Sequence, residues 1–164
     1  MFSGKTSYLL NQIVKTGIQS SKVFKPVIDN RYSADHLVSH SKEKVAAINV
    51  STGEDILRKI SGVDKDIFID EIQFFDISIV KVCEKLRNSG HHVRLAGLDK
   101  DSAQEFFDTS KELLGVADKI HLLKGNCAAC GDLGEHTFCL NTSKKNKIAV
   151  GGDEMYECRC DNCI

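Results

Sequence analysis

The sequence of 164 residues lacks tryptophan, has one proline, and carries neither a long apolar run nor a clear excess of charge. No apolar stretch approaches the ~20 residues that a membrane-spanning helix requires, so we expect no such helix and no membrane partner. The 22 basic and 23 acidic residues give a net charge of -1, which argues against electrostatic binding to nucleic acid. The 41% hydrophobic content is close to the globular average, which excludes disordered, collagen-like and coiled-coil chains.

The start of the chain and its cysteines bear on where the protein works. Residues 1–6 lack the apolar stretch of a secretory signal, so we expect a cytoplasmic protein. Seven cysteines are many for this length. In a secreted protein they would indicate disulfides, but their spacing favours a metal site in a reducing cytoplasm.

Apolar runs alternate with helical patterns along most of the chain. The apolar runs predict strands at residues 22–29, 43–50, 66–70, 91–98 and 119–123. Helical periodicity predicts helices at residues 6–16, 52–60, 77–89 and 110–117. A capping box of Ser51 and Glu54 opens the second helix, and Pro26 makes the first strand an edge or irregular strand. This alternation predicts an α/β fold with a mostly parallel sheet and helices on its faces.

A change in composition near residue 125 predicts a domain boundary. Helical periodicity fades there, and most of the cysteines follow. We therefore expect an α/β nucleotide-binding domain over residues 1–124 and a small cysteine-rich domain over residues 125–164.

The first motif with chemical content is Gly4-Lys5-Thr6, the second half of a P-loop. In such a loop the glycine lets backbone N–H groups approach phosphate, the lysine reaches the β- and γ-phosphates, and the threonine hydroxyl ligates magnesium. The helix that follows adds the favourable end of its dipole. Taken alone, the tripeptide fits an ordinary helix start equally well.

A second motif, the apolar run of residues 67–69 followed by Asp70 and Glu71, favours the phosphate-site interpretation. A strand of this kind places its aspartate beside magnesium in P-loop proteins. Glu71 would then point the other way along the backbone, towards a second substrate. The alternative is a strand that ends in two solvated acids.

Two Cys-x-x-Cys pairs, Cys127 with Cys130 and Cys160 with Cys163, predict a structural zinc site. A metal clamp of this kind stabilises a small domain that lacks a large core. A redox role for either pair is the alternative. Cys158 could compete with Cys160 as a ligand, although the two-residue spacing favours Cys160.

Together these residues resemble the cytosolic (type II) thymidine kinases of bacteria, animals and large DNA viruses, nearly end to end. Residues 1–6 resemble the family P-loop, and residues 29–33 resemble its Asp-x-Arg-Tyr-Ser segment. Residues 70–75 match its Asp-Glu-x-Gln-Phe-Phe signature, and residues 96–99 match its next strand end. The zinc cysteines, with residues 151–152 and Tyr156, resemble its lasso domain. The resemblance implies a RecA-like P-loop core and a zinc-ribbon lasso that covers a nucleoside.

The resemblance also implies magnesium- and ATP-dependent phosphorylation of the 5′-hydroxyl of thymidine or deoxyuridine, a salvage step that supplies DNA synthesis. Glu71 would be the general base. The residues that would hold ATP and magnesium are Ser3, Gly4, Lys5, Thr6, Arg31, Asp70 and Gln73. Those that would hold the nucleoside are Phe75, Phe107, Thr137, Lys147, Ile148, Ala149, Val150, Gly151 and Tyr156. Family members usually form tetramers, so the resemblance implies a homotetramer.

Some features depart from the family pattern. Ser102, Phe106 and Cys139 stand where the family usually has phenylalanine, proline and arginine, which affects nucleoside selectivity more than reaction type. The family also has a strand ahead of its phosphate loop, so we expect a chain that begins at Met1 to be poorly stable and to bind ATP weakly. Two alternatives stay open, a P-loop ATPase with a zinc ribbon and an inactive, truncated kinase homologue.

Overall fold

The computed structural model describes residues 1–29, 36–38, 44–140 and 154–164. The helices in these residues are α1 (Lys5–Thr16), α2 (Gly53–Lys59), α3 (Ser78–Asn88) and α4 (Asp108–Val116). Short 3₁₀ turns lie at Ile18–Ser20 and Ile72–Phe74. The strands are β1 (Ser21–Pro26), β2 (His36–Val38), β3 (Lys44–Ala46), β4 (Ile48–Val50), β5 (Asp66–Ile69), β6 (His92–Leu95), β7 (Gly125–Asn126), β8 (Leu133–Gly134), β9 (His136–Cys139) and β10 (Tyr156–Arg159).

Four strands form one parallel sheet in the order β4-β1-β5-β6. Three antiparallel pairs, β2 with β3, β7 with β8 and β9 with β10, accompany it. Parallel neighbours need crossover connections, and along the chain α2 lies between β4 and β5, α3 between β5 and β6, and β2 and β3 between β1 and β4. The mixed α/β fold with a parallel sheet is therefore confirmed.

The core occupies both faces of the sheet because side chains alternate along each strand. On β5, Ile67 and Ile69 point to one face and join a cluster with residues of α2, α3 and α4. Phe68 points to the other face and packs with Leu9, Leu10 and other residues near α1. All four β5 residues are buried, as expected for an inner parallel strand covered on both faces.

Two strand predictions need correction. Residues 119–123 are described and form no strand, and Ile120 and Leu122 there are exposed. A short apolar run becomes a strand only where a neighbour pairs with its backbone, and this segment has no pairing partner in the described sheet. Residues 44–50 form two strands instead of one, because β3 pairs with β2 while β4 joins the main sheet.

The prediction that Pro26 marks an edge or irregular strand is wrong about the edge, since β1 lies between β4 and β5. Pro26 is the last residue of β1, and pairing with β5 ends two residues earlier at Phe24. On the β4 side the N–H that donates to the Val50 carbonyl belongs to Val27. The missing N–H of proline therefore removes no bond of the sheet.

The capping box of α2 lies one residue later than the sequence pattern indicated. Thr52, not Ser51, is the N-cap, and its hydroxyl accepts from the Asp55 N–H at 3.3 Å. The Asp55 carboxylate accepts in return from the Thr52 N–H at 3.0 Å. This arrangement satisfies two N–H groups that the helix start leaves without partners.

Replacing Thr52 with alanine should lower the free energy of unfolding by about 1 kcal/mol, because the first turn of α2 loses its side-chain acceptor. Thr52→Ser keeps the hydroxyl and is the matched control, with most of the stability retained. Urea denaturation followed by circular dichroism measures both. Equal losses in the two variants would contradict the capping role.

Candidate active site

The phosphate-loop residues lie at the start of α1. Gly4 is the N-cap in a left-handed conformation with φ 75°, and the first intrahelical bond runs from the Tyr8 N–H to the Gly4 carbonyl at 2.8 Å. The N–H groups of residues 5–7 precede that bond, and the first turn carries no acidic side chain. This helix start presents backbone donors and the positive end of the dipole, which together suit an anion such as phosphate.

Asp70 follows β5 and meets the start of α1. The Thr6 hydroxyl lies 3.4 Å from Asp70 Oδ2 and donates to it, while Oδ1 accepts from the Glu71 N–H at 3.0 Å. Sequence spacing alone left these two motifs 64 positions apart, and the parallel sheet brings them together. A hydroxyl and a carboxylate in contact are oxygen donors of the kind that magnesium prefers, so the pair fits a magnesium ion.

Asp70 is only 3% exposed, and its surroundings disfavour a negative charge. Burial raises the pKa of its carboxyl to about 7, and the neighbouring Glu71 adds to the rise. The Glu71 N–H and Lys5 lower the pKa, but by less, and Asp29 raises it further. The site therefore concentrates negative charge in a buried position, which a bound cation would compensate.

Glu71 has an unusual backbone conformation, with φ 51° and ψ 47° in the left-handed region. A residue with a side chain adopts this conformation at a cost of roughly 1–3 kcal/mol, and such strain is concentrated at functional sites. The Glu71 side chain is half-buried and accepts a hydrogen bond from Gln73 Nε2. Gln73 Oε1 accepts from the Leu98 N–H at 3.0 Å.

Two hydroxyls on α4 fix the loops around Glu71. Thr109 donates to the Phe75 carbonyl at 2.8 Å, and Ser110 donates to the Leu98 carbonyl at 2.6 Å. Both hydroxyl residues are buried. Sequence reasoning gave these two residues no role, since a threonine and a serine in the first turn of a helix carry no signal beyond capping.

The predicted nucleoside residues lie on several elements. Phe75 is 5% exposed and packs in the core cluster of α2, α3 and α4. Phe107 precedes α4 and its N–H donates to the Asp99 carbonyl at 2.9 Å. Thr137 lies buried on β9, where its hydroxyl accepts from the Met1 ammonium at 2.7 Å. Tyr156 begins β10 opposite Cys139, and burial raises its pKa. The predicted residues outside the described ranges are Arg31, Lys147, Ile148, Ala149, Val150 and Gly151.

The four predicted zinc cysteines converge. The sulfurs of Cys127, Cys130, Cys160 and Cys163 all lie within 4.8 Å of one another, and those of Cys130 and Cys160 are 3.6 Å apart. Tetrahedral zinc with Zn–S bonds of ~2.3 Å places its sulfurs ~3.8 Å apart, so the cluster is compatible with a zinc site. All four thiols are free of disulfides.

The protonation of these thiols also suits a metal. Burial opposes ionisation of Cys127, but N–H groups of Cys160, Cys130 and Ala129 donate to its sulfur and lower its pKa to about 6. The Asp132 N–H favours the Cys130 thiolate, but contacts with the Cys160 and Cys127 thiols outweigh it and raise that pKa to about 12. Four close sulfurs cannot all ionise unless a cation offsets their repulsion.

Cys158 does not belong to this cluster. Its sulfur faces two glycines, because a Cβ built at Gly134 would lie 2.9 Å from it and one at Gly125 would lie 3.1 Å from it. Cys158 is therefore a buried residue of β10, and Cys160, which the spacing favoured, is the one that lies in the thiol cluster.

A parallel α/β sheet with a phosphate-type helix start and an acidic strand end is an arrangement typical of nucleotide-binding P-loop proteins. A family model for thymidine kinase matches residues 1–164, so the chain belongs to the thymidine kinase family. Membership supports a kinase activity that uses ATP and thymidine. Across the described ranges, no helix combines the length and the apolar character needed to cross a bilayer.

Asp70→Asn should stabilise the magnesium-free protein at pH 8. The Asp70 pKa is raised from 3.8 to about 7 in the folded state. Its ionisation therefore leaves folding stability unchanged below about pH 4 and lowers it progressively as the pH rises to about 7. Asparagine never ionises, and we expect its melting temperature to exceed that of the wild type by a few degrees at pH 8 and by less at pH 5. Asp118→Asn, at an exposed carboxylate, is the control. A melting temperature of Asp70→Asn below that of the wild type at pH 8 would contradict the raised pKa of Asp70.

Cys130→Ser should release the metal. We expect one zinc per chain in freshly purified, reduced wild type and in the control Cys139→Ser, and substoichiometric zinc in Cys130→Ser, because three thiolates bind zinc less well than four. Elemental analysis measures the zinc, and thermal melting shows that the α/β core survives. Wild-type protein without zinc would overturn the site.

Proposed function

We propose that the protein is a thymidine kinase that transfers the γ-phosphate of ATP to the 5′-hydroxyl of thymidine or deoxyuridine with magnesium. The observation that carries the proposal is the contact between Thr6 and Asp70 with Glu71 beside them. This contact joins a phosphate-binding helix start to a base one residue beyond a metal-binding carboxylate. Phosphoryl transfer depends on positioning and charge neutralisation, and these residues are suited to both.

Each residue has a distinct task in this proposal. The first-turn N–H groups of α1 and the Lys5 ammonium bind the phosphates of ATP. Thr6 and Asp70 hold magnesium, which neutralises phosphate charge when it is bound with ATP. Glu71 accepts the proton of the 5′-hydroxyl as its oxygen attacks the γ-phosphorus, and ADP leaves. Arg31 adds positive charge at the transferring phosphate.

Residues of the cysteine-rich region, 125–164, contribute to nucleoside binding in this proposal. Thr137 and Tyr156, with the backbone of residues 147–151, hold thymine, while Phe75 and Phe107 line the base pocket. We propose that residues 125–164 form a zinc-anchored lasso domain beside an α/β domain of residues 1–124. Contacts between the two regions support a shared site, since the His136 ring nitrogen Nδ1 lies 2.6 Å from Gln104 Oε1.

An ATPase would use the same phosphate site with Glu71 activating water, and an assay separates the two functions. We expect ADP to form only when thymidine or deoxyuridine is present, with thymidine monophosphate in equal amount. Purine nucleosides should give no product. Nucleoside-independent ADP formation would favour an ATPase, and no ADP with any nucleoside would favour an inactive homologue.

Glu71→Gln should lower kcat by ~10²-fold or more, because the amide keeps the shape of the side chain but cannot accept the hydroxyl proton. The Kd of ATP, measured by calorimetry, should change little. Glu112→Gln, an exposed position on α4, is the control and should keep wild-type turnover. Turnover of Glu71→Gln near the wild-type rate would exclude Glu71 as the base.

A further inference from the structure

The amide of Gln73 lies between the proposed base and the loop that follows β6. We propose that Gln73 is a positioning residue that fixes the carboxylate of Glu71 for proton transfer, and that Gly97 is required because it leaves room for this amide and for Ile72 beside it. The inference rests on the proposed function, in which Glu71 is the base. It also replaces the expected contact of Gln73 with ATP or magnesium by a contact within the protein.

The hydrogen bonds define the orientation of the Gln73 amide. Nε2 donates to Glu71 Oε2, which as a carboxylate oxygen can only accept. The Leu98 N–H, which can only donate, lies 3.0 Å from Oε1 and donates to it. A flipped amide would lose both bonds, so one orientation of Gln73 satisfies both neighbours.

Burial makes this contact specific. Gln73 is 4% exposed, so its amide has little access to water as an alternative partner. A buried amide that loses a partner carries the desolvation penalty of an unsatisfied polar group, which favours the bonded arrangement. Both ends of the side chain are engaged by protein atoms, which fits a residue that orients Glu71 better than one that binds phosphate.

Gly97 is the residue that this arrangement requires after β6. A Cβ at position 97 would lie 2.7 Å from Gln73 Oε1 and 2.4 Å from Ile72 Cγ1. Both distances are shorter than real Cβ contacts allow, so any side chain there must displace the amide or the turn that carries it. No positive φ requires glycine at this position, and the requirement is therefore one of space.

The Leu98 loop, which binds the Gln73 amide, is itself held in place by hydrogen bonds. Ser110 donates to the Leu98 carbonyl at 2.6 Å, and the Ile72 N–H donates to the Ala96 carbonyl at 3.1 Å. The turn that bears Gln73 and the loop that bears Leu98 are thus joined by backbone and side-chain bonds. The Gln73 contact holds Oε2 of the half-buried Glu71 side chain and so limits the directions in which its carboxylate can point.

The first test compares Gln73→Leu and Gln73→Asn with Gln19→Leu, an exposed control. Leucine removes both polar ends, and asparagine is one methylene too short to bridge Glu71 and Leu98. We expect kcat to fall about 10- to 100-fold in both variants, since small misplacements of a catalytic group have effects of this size. The Kd values of ATP and thymidine should stay near those of the wild type, and the melting temperature should fall by a few degrees in both variants because buried hydrogen bonds are lost. Unchanged kcat, or a loss confined to ATP affinity, overturns the inference.

The decisive measurement adds Gln73→Leu to Glu71→Gln. If Gln73 acts through Glu71, the double variant turns over at the rate of Glu71→Gln alone, because effects of residues that act as a unit are not additive. A further loss by the factor seen in the wild-type background means that Gln73 acts independently, and it overturns the inference while the proposed function stands. Full turnover of Glu71→Gln itself would instead exclude Glu71 as the base, and it would overturn this inference while the kinase activity stands.

Gly97→Ala tests the requirement for space, with Gly115→Ala as its control. Gly115 lies in α4 with nothing within 4 Å of its Cβ direction, so alanine there should leave kcat unchanged. We expect Gly97→Ala to lower kcat about tenfold or more with little change in thymidine Kd. Equal kcat in the two alanine variants would show that the amide does not depend on the glycine.

Discussion

The burial of Asp70 at the end of β5 is the constraint on which the rest of the site depends. An inner parallel strand, with apolar side chains on both faces, carries this carboxylate into a position only 3% exposed. Its raised pKa reflects the unfavourable transfer of a charge out of water. The start of α1 lies against it because Leu9 and Leu10 of that helix pack on the same sheet. Packing of the core therefore sets the contact between Thr6 and Asp70.

The chain beyond Asp70 departs from regular structure, and the neighbouring elements compensate. Glu71 is in the left-handed region, and a 3₁₀ turn follows at Ile72–Phe74. Bonds from α4 and from the loop after β6 hold this turn, so the unfavourable backbone conformation persists in the folded state. The strained backbone of Glu71 thus lowers stability while it sets the direction of the Glu71 side chain.

The cysteine-rich region follows a different principle. Its strands β7 to β10 are two to four residues long, and strands this short bury little apolar surface. Four thiols within 4.8 Å repel one another once ionised, whereas a bound zinc converts that repulsion into a crosslink between two chain segments. With zinc bound, the region would owe its order to coordination more than to a hydrophobic core.

The sequence by itself determined the features that depend on local pattern. Apolar runs located β1, β5 and β6, the phosphate-loop residues and the Asp70-Glu71 pair stood out from their surroundings, and the Cys-x-x-Cys spacing identified the thiol cluster. These predictions succeed because buried strands, helix starts and Cys-x-x-Cys turns each depend on residues that are close along the chain.

The tertiary structure decided whatever depends on partners far away in the chain. Residues 119–123 have a strand-like pattern but no pairing neighbour, and Pro26 lies in an inner strand because pairing on one side ends before it. The role proposed for Gln73 needs Leu98, which lies 25 positions on, and the role proposed for Gly97 is to leave space for an amide. Only the folded chain brings such atoms within bonding distance, because hydrogen bonds and steric exclusion act over a few ångströms and sequence patterns carry no distances.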